Sequence, residues 1–487
     1  MADRSIAGRL RAAAAVLAAG MLVLAGGCSS AGGSSPGRQA AGPTAGVAEA
    51  DCHHFLPSLA CYTPRQIRVA YGIQPLLDRG IDGRGQTVVL MDFANTPLPP
   101  PQPVQQPVSQ RSGSQQSAPQ QSVPEQSGPQ QPVSQQPVSQ QSVSPISDIR
   151  QDLALFDTVF GLPAARLTVD TGLAGSAWPW LAGGEEVEDA EIVHAIAPDA
   201  ALRVVLIPRR FSPASWLASV DDVLRQALSQ GTVVSISGIL GEDCFTPAEV
   251  AGLNSALLAD QDHHVTVVAS SGDYGAASTT CSDAITPAPV RDVGLPASDP
   301  LVLAAGGTTL DLDRTTGAYL SETAWRTPPG TAKPQTSSGG FSHLFTRPAY
   351  QDGVPGIGAA RGLPDVAADA ATRTGMTLAV TGGSGNDAFY PATGTSAAAP
   401  LWAGLIALAN QYAGRNLGFV NPAIYRIGRS ASYHQAFHDV STGNDTMTIS
   451  GQTIAGYSAS PGWDPVTGWG SPDAQALIPL LVRYTSP

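Results

Sequence analysis

Short apolar runs recur along the chain and alternate with longer stretches of mixed character. Each run is too short for a helix and is rich in Val, Ile, Leu and Ala, so it predicts a strand that is buried on both faces. Buried strands that alternate with helices predict a single α/β domain in which a mostly parallel central sheet is flanked by helices. The predicted strands are residues 87–91, 202–207, 232–236, 265–269, 301–304 and 378–380.

The first residues have the pattern of an export signal. Three arginines precede an apolar run over residues 12–25, which is too short to span a membrane comfortably. The small residues before Cys28 are similar to a bacterial lipoprotein processing site, in which the cysteine becomes the lipidated first residue. We predict a signal peptide over residues 1–27 and a flexible tether over residues 28–50. The protein is then exported, and it is either lipid-anchored on the outer face of the cell membrane or secreted.

The cysteines agree with an extracytoplasmic location. The chain has five, and assigning Cys28 to a lipid leaves four that can pair. Four cysteines allow three connectivities, of which we favour Cys52 with Cys61 and Cys244 with Cys281, because this pairing joins near neighbours at the start of the domain and two loops that flank a predicted strand.

Composition narrows the range of partners. The net charge is −13, the pI is near 4.9 and Lys333 is the only lysine, so the chain has no basic face for nucleic acid. Residues 97–145 repeat Gln, Pro, Val and Ser with almost no large apolar residue, which predicts a disordered insertion in a folded domain over residues 51–485. This insertion is either an inert surface loop or a segment that binds a partner or the cell wall.

A serine begins the strongest helix pattern in the chain. The segment Gly394-Thr395-Ser396-Ala397-Ala398-Ala399-Pro400 leads into an apolar helix-forming run, which places Ser396 at a helix N-terminus. Backbone N–H groups converge there and favour negative charge, as a nucleophilic serine requires. The alternative is that Ser396 only caps the helix.

Acidic residues occur in two segments that the fold can bring close to this serine. Glu185 and Asp189 are four residues apart, and they share one helix face if the helix begins near Gly184. Two close carboxylates raise one pKa, which suits a general base that later acts as an acid. Asp273 follows the strand over residues 265–269 and lies on a loop at its carboxyl end, where ligands bind in such sheets. A solvated helix start and a turn aspartate are the alternative interpretations.

Taken together, these segments resemble the sedolisin family of serine-carboxyl peptidases, which has a subtilisin-like α/β fold. The resemblance runs from about Tyr62 to Leu481, and many collinear motifs carry it. They are Tyr62-Thr63-Pro64, Gly85-Gln86-Thr87-Val88, the stretch from Glu185 to Pro198, Ser270-Ser271-Gly272-Asp273, Gly306-Gly307-Thr308-Thr309-Leu310, Glu322-Thr323-Ala324-Trp325, Gly394-Thr395-Ser396 and Gly462-Trp463-Asp464-Pro465.

The resemblance implies an endopeptidase that forms an acyl-enzyme at Ser396. Glu185 would take the serine proton, and Asp189 would orient Glu185 and share its charge. Asp273 would complete the oxyanion hole, which requires a protonated carboxyl and implies an acidic pH optimum. The expected substrate is a polypeptide, the expected oligomeric state is a monomer, and release of tripeptides is an alternative to internal cleavage.

The resemblance also implies one structural Ca²⁺ near the C-terminus. Its ligands would be Asp439, the carbonyls of Val440, Ser460 and Gly462, and Asp464. Carboxylate and backbone oxygens together suit a hard cation. No other cofactor is implied.

Other classes of protein share parts of this pattern. A histidine-based subtilase would also have the Ser396 motif and an aspartate such as Asp92 at a strand end, but no His-Gly-Thr-His segment occurs, and His194 lies inside a predicted helix. Sedolisins normally carry a large N-terminal prodomain, and only residues 28–61 precede the catalytic domain here. The alternative function is therefore a catalytically silent, lipid-anchored binding protein on the same fold. A solute-binding lipoprotein would lack the serine-carboxyl constellation.

Overall fold

The computed structural model describes residues 61–93, 148–170, 184–207, 212–259, 264–282, 286–328, 331, 333–381 and 387–485. The predicted signal peptide, the tether and the insertion over residues 97–145 lie outside these described residues, as does Cys52. Among the described residues, no helix is long and apolar enough to cross a membrane.

The described part of the chain alternates helices and strands. The helices are α1 (Pro64–Ala70), α2 (Gln74–Leu77), α3 (Ile149–Phe160), α4 (Glu185–Ile196), α5 (Pro213–Gln230), α6 (Pro247–Ala259), α7 (Thr395–Ala413), α8 (Asn421–Gly428), α9 (Tyr433–Ala436) and α10 (Ala474–Tyr484). The strands are β1 (Thr87–Phe93), β2 (Arg166–Asp170), β3 (Ala201–Ile207), β4 (Val233–Ile236), β5 (Leu240–Gly241), β6 (Thr266–Ser270), β7 (Ala277–Thr279), β8 (Pro287–Arg291), β9 (Gly294–Leu295), β10 (Leu303–Leu312), β11 (Tyr319–Ala324), β12 (Gly340–Thr346), β13 (Ala360–Leu363), β14 (Val366–Asp369), β15 (Thr377–Val380), β16 (Ala388–Pro391), β17 (Phe437–His438), β18 (Met447–Ile449), β19 (Gln452–Ile454) and β20 (Ser471–Pro472). Two short 3₁₀ turns occupy Glu242–Cys244 and Ala349–Gln351.

A mainly parallel sheet forms the centre of the domain. Its strand order is β11-β10-β6-β4-β1-β3-β2, and β14 also pairs with β10. All of these pairs are parallel except β10 with β11. The predicted α/β class with a mostly parallel sheet is therefore confirmed.

Helices cover the central sheet on both faces. In β1, Val88 and Leu90 pack into the core that includes α4 and α7, whereas Val89 and Met91 pack into the core that includes α5 and α6. Successive side chains of a strand point to opposite faces, so a strand covered on both sides is apolar throughout. This burial explains why the strands appear in the sequence as continuous apolar runs.

One predicted strand lies outside the central sheet. Residues 378–380 belong to β15, which pairs antiparallel with β16 instead of joining the parallel strands. An apolar run indicates burial but does not specify the partner of the strand, so the expected parallel pairing was wrong here. The core around α3 and α4 buries β15.

Local signals at the start of the domain have the predicted effect. Thr63 caps α1 and forms a capping box with Gln66, and Pro64 occupies the first turn. The predicted disulfide between Cys244 and Cys281 is present. Cys61 is disulfide-bonded as well, but its predicted partner Cys52 lies outside the described residues.

Candidate active site

Three neighbouring strands of the sheet deliver polar side chains to one edge. Asp92 lies near the end of β1, Ser237 follows β4, and Asp273 follows β6. These strands are adjacent and parallel, so their carboxyl ends meet at the same edge. This edge of an open α/β sheet is where ligands bind, and α4 and α7 begin beside it.

Ser396 lies in the first turn of α7 and is half-buried, as the sequence predicts. Gly394 caps the helix with a φ of +86°, a conformation that favours glycine. A Cβ at this position would lie 2.8 Å from Oδ2 of Asp273, so the loop also approaches that carboxyl closely. Glycine is therefore required at Gly394 for two separate reasons.

Pro400 leaves the carbonyl of Ser396 without its usual helical donor. Proline has no N–H, and the residue at this position would otherwise donate to the carbonyl four residues earlier. The hydroxyl of Ser237 lies 3.4 Å from that carbonyl and donates to Oδ1 and Oδ2 of Asp189 at 3.0 and 2.8 Å. Ser237 therefore lies between the Ser396 segment and the acidic helix.

The acidic pair lies on the first turns of α4. Gly184 is the N-cap residue, which confirms the predicted helix start, so Glu185 and Asp189 lie one turn apart. Asp189 is fully buried. Burial raises the pKa of its carboxyl well above the usual range, the charges of Asp92 and Glu185 raise the pKa further, and the hydrogen bond from Ser237 opposes these effects.

Asp92 extends this acidic group. It is fully buried, and neither of its carboxyl oxygens has a hydrogen-bond partner among the described residues. Burial, followed by the charges of Glu186 and Glu185, raises the pKa of Asp92 well above its usual value. The charge of Asp92 in turn raises the pKa of Asp189, so these two buried carboxyls influence each other.

Asp273 lies against the start of α7. Its Oδ1 accepts hydrogen bonds from the backbone N–H and the hydroxyl of Thr395, both at 2.9 Å, and its Oδ2 accepts one from the side chain of Gln335 at 3.2 Å. Burial raises the pKa of Asp273, and the bonds from Thr395 oppose that shift. The structure thus brings the predicted oxyanion residue next to the residue that precedes Ser396.

The sequence analysis did not assign three residues of this site: Ser237, Asp92 and Glu188. Ser237 has a hydroxyl but no recognisable motif. Asp92 enters the sequence analysis only as the aspartate of the alternative subtilase class. Its position at the end of an apolar strand also indicates a site residue, because ligands bind at the carboxyl ends of such strands. Glu188 lies between the predicted acids on α4, and its carboxyl accepts the N–H of Thr393 at 3.1 Å.

His194, also on α4, is buried and contacts Asp157 and the carbonyl of Pro163.

The predicted calcium ligands lie together near the C-terminus. The carboxyl of Asp439 accepts the N–H of Gly462 at 3.1 Å, and that of Asp464 accepts the N–H of Ser460 at 3.0 Å. The carbonyl of Val440 is linked to Asp464 through the hydroxyl of Thr467. Two carboxylates and three carbonyl-bearing residues in one place are a donor set that fits a hard cation.

A second group that could hold a metal ion lies elsewhere. Glu242, Asp292 and His343 present ligand atoms that all lie within 4.8 Å of one another. Glu242 and Asp292 are buried, and His343 is exposed. Nδ1 of His343 lies 3.3 Å from Oε2 of Glu242 and 3.7 Å from Oδ1 of Asp292, so the ring contacts both carboxylates directly.

Comparisons with known proteins agree with this geometry. No family model matches the sequence. Kumamolisin from Bacillus sp. (strain MN-32) is 34% identical over 310 residues, which are 62% of this chain and 51% of the relative. Sedolisin from Pseudomonas sp. (strain 101) is 30% identical over 344 residues, which are 68% of this chain and 55% of the relative. The chain thus spans about half the length of these curated relatives.

Among solved structures, Pseudomonas sedolisin, a serine-carboxyl proteinase in complex with pseudo-iodotyrostatin, matches with a TM-score of 0.62 at 23% identity. The match covers 87% of this chain and 98% of that one, and it shows the fold. The fold defines the chain as a subtilisin-like α/β domain. The curated relatives then specify the family: the chain belongs to the sedolisins.

Proposed function

We propose that this protein is a serine-carboxyl endopeptidase that cleaves polypeptides through an acyl-enzyme at Ser396. One observation carries the proposal: the hydroxyl of Ser237 bonds both carboxylate oxygens of Asp189 and reaches the carbonyl of Ser396. The acidic helix and the nucleophile segment are therefore parts of one hydrogen-bonded unit.

The acidic pair supplies the base and, later, the acid. In the proposed reaction the Ser396 hydroxyl attacks the scissile carbonyl, and its proton passes to Glu185. The proton then moves to the leaving amine, and a water activated by Glu185 hydrolyses the ester. The charge of Glu185 raises the pKa values of Asp189 and Asp92, which supports a coupled role for these carboxyls in the proposed reaction.

We assign Asp273 as the oxyanion donor, and its burial beside Thr395 supports this role. Its Oδ1 accepts the N–H and the hydroxyl of Thr395 at 2.9 Å, and its Oδ2 accepts one hydrogen bond from Gln335 at 3.2 Å, so the proton of the neutral acid is assigned to Oδ2, which has fewer donors. Burial favours the neutral acid, and a neutral carboxyl donates a hydrogen bond where an ionised one would repel the oxyanion. Because this donor is lost when Asp273 ionises, we infer an acidic pH optimum.

We assign a structural Ca²⁺ to Asp439, Val440, Ser460, Gly462 and Asp464. Asp464 is almost fully buried and accepts the N–H of Ser460, and Asp439 accepts the N–H of Gly462, two residues further along the same segment. A bound divalent cation would offset the two negative charges and hold these segments together.

The substrate and location follow the same reasoning. The relatives include enzymes named tripeptidyl-peptidase, so release of tripeptides is an alternative to internal cleavage for this chain. The export signal predicts that the enzyme acts outside the cytoplasm, either attached to the membrane through Cys28 or secreted. We propose that it acts on polypeptides and that it is a monomer.

The decisive experiment is hydrolysis of an unfolded protein by the purified chain from pH 3 to 8, beside Ser396→Ala and Glu185→Gln. Activity that is restricted to acidic pH and lost in both variants supports the proposal. Activity at neutral pH that survives in Glu185→Gln contradicts the serine-carboxyl mechanism. No hydrolysis at any pH favours the catalytically silent binding protein.

A further inference from the structure

Glu188 connects the acidic helix to the loop before the nucleophile. It lies on α4 between Glu185 and Asp189, and only 7% of its surface is exposed. Its Oε1 accepts a hydrogen bond from the backbone N–H of Thr393 at 3.1 Å. The helix that carries the acid/base pair thus bonds directly to the segment that leads to Ser396.

Three consecutive backbone N–H groups of that segment have defined partners. The N–H of Thr393 donates to Glu188, that of Gly394 to the carbonyl of Ala370 at 2.8 Å, and that of Thr395 to Asp273 at 2.9 Å. A carboxyl therefore holds the loop at each end. The bond from Thr395 orients the loop toward the oxyanion side, and the bond from Thr393 orients it toward the acid/base side.

We propose that Glu188 is a positioning residue, which sets the distance between the nucleophile loop and the Glu185–Asp189 pair through its bond to the N–H of Thr393. This inference rests on the proposed peptidase function. Burial, followed by the charge of Glu185, raises the pKa of Glu188, so its neutral form is favoured at acidic pH. A neutral carboxyl still accepts the N–H of Thr393 and adds no charge near Asp273.

Substitution of Glu188 by glutamine and by leucine distinguishes the effect of the hydrogen bond from the effect of side-chain shape. Glu188→Gln keeps an acceptor of the same reach, and Glu188→Leu fills the space but accepts no bond. Glu188→Asp shortens the reach by one methylene and serves if the leucine variant does not fold. Each variant is compared with the full-length wild type in melting temperature, in kcat and in KM for one peptide substrate at the pH optimum.

We expect kcat of Glu188→Leu and Glu188→Asp to fall about 10- to 100-fold with KM nearly unchanged, because small displacements of a nucleophile cost this much. Glu188→Gln should retain kcat within about threefold of wild type. A merely structural role would lower the melting temperature without this division between kcat and KM, and glutamine would then offer no specific rescue.

Amide hydrogen exchange gives a second readout that does not depend on catalysis. The peptide containing Thr393 should exchange faster in Glu188→Leu than in wild type or in Glu188→Gln. If kcat of Glu188→Leu stays within about twofold of wild type, or Glu188→Gln loses as much as leucine does, the proposal is wrong. If the wild type hydrolyses nothing, the proposed function fails, and unchanged exchange in the leucine variant would separately refute the positioning role.

Discussion

The hydroxyl of Ser237 stabilises the ionised form of Asp189, so removing it should change the pH profile in a defined direction. Ser237→Ala deletes a donor that lies 2.8 and 3.0 Å from the two oxygens of Asp189. A hydrogen bond to an ionised carboxylate favours the charged state and lowers the pKa. The variant should therefore raise the apparent pKa of the Glu185–Asp189 pair.

The structure sets the size of this shift. A hydrogen bond to a charged group contributes about 1.5 to 3 kcal/mol, and one pKa unit corresponds to about 1.36 kcal/mol. One hydroxyl proton is shared between two carboxylate oxygens, so Ser237 supplies one bond and the lower end of the range applies. We expect the acidic limb of kcat/KM to move up by about one unit, as a property of the coupled pair.

The assay is kcat/KM on one peptide substrate from pH 2.5 to 7. Ser235→Ala is the matched control, because Ser235 is a buried serine in β4, two residues before Ser237, and its hydroxyl makes no hydrogen bond to a described residue. About one pH unit below the midpoint of the wild-type acidic limb, kcat/KM of Ser237→Ala should be about tenfold lower than that of Ser235→Ala. Coincident limbs for the two variants would refute a role of Ser237 in setting the charge of Asp189.

Four further results are expected. Asp273→Ala should lower kcat about 10²- to 10³-fold, as loss of one oxyanion donor does. Asp273→Asn should lower kcat less, because its amide still donates a hydrogen bond, and equal decreases in kcat would contradict the donor role. Burial raises the pKa of Asp369 to about 7 and that of Glu186 to about 7, so between about pH 4 and 7 the folded state holds protons that the unfolded chain releases. Stability should therefore fall as pH rises through this window, and a melting temperature that increases by calorimetry would contradict this reasoning. A chelator should lower the melting temperature of the wild type but not of Asp464→Asn, and added Ca²⁺ should reverse the effect; equal responses would argue against the assigned site. Gly404→Ala should lower kcat and the melting temperature together, because its Cβ would lie 2.8 Å from a side chain of α4; unchanged values would show that the helices separate without cost.

The sequence predicted which strands are buried better than it predicted how the strands pair. The runs that became β1, β3, β4 and β6 are apolar on both faces, and their positions agree with the structure within one or two residues. By contrast, β2 is half-exposed at the edge of the sheet and has no apolar run, so the same criterion could not detect it. Pairing partners depend on the path of the chain, which explains why β15 was assigned to the wrong sheet.

Site residues were predictable where local sequence determines their position. Ser396 follows from a helix start, and the spacing of Glu185 and Asp189 follows from the helix repeat. Ser237 and Glu188 act through contacts with segments that are far apart in the sequence, and a hydroxyl or carboxyl has no local mark that shows such a partner. Only the packed fold brings those pairs together.

Close packing of two helices accounts for the spacing of the whole site. The acids begin α4 and the serine begins α7, and the two helices approach so closely at Gly404 that a Cβ there would lie 2.8 Å from Ile196. A close contact between rigid helices fixes the separation of their first turns, because packed cores do not deform continuously. The strand ends contribute Ser237 and Asp273 around this helix pair, so the proposed nucleophile and the proposed acids are held from two independent directions. Such preorganisation suits chemistry that needs a proton passed between groups without rearrangement of the backbone.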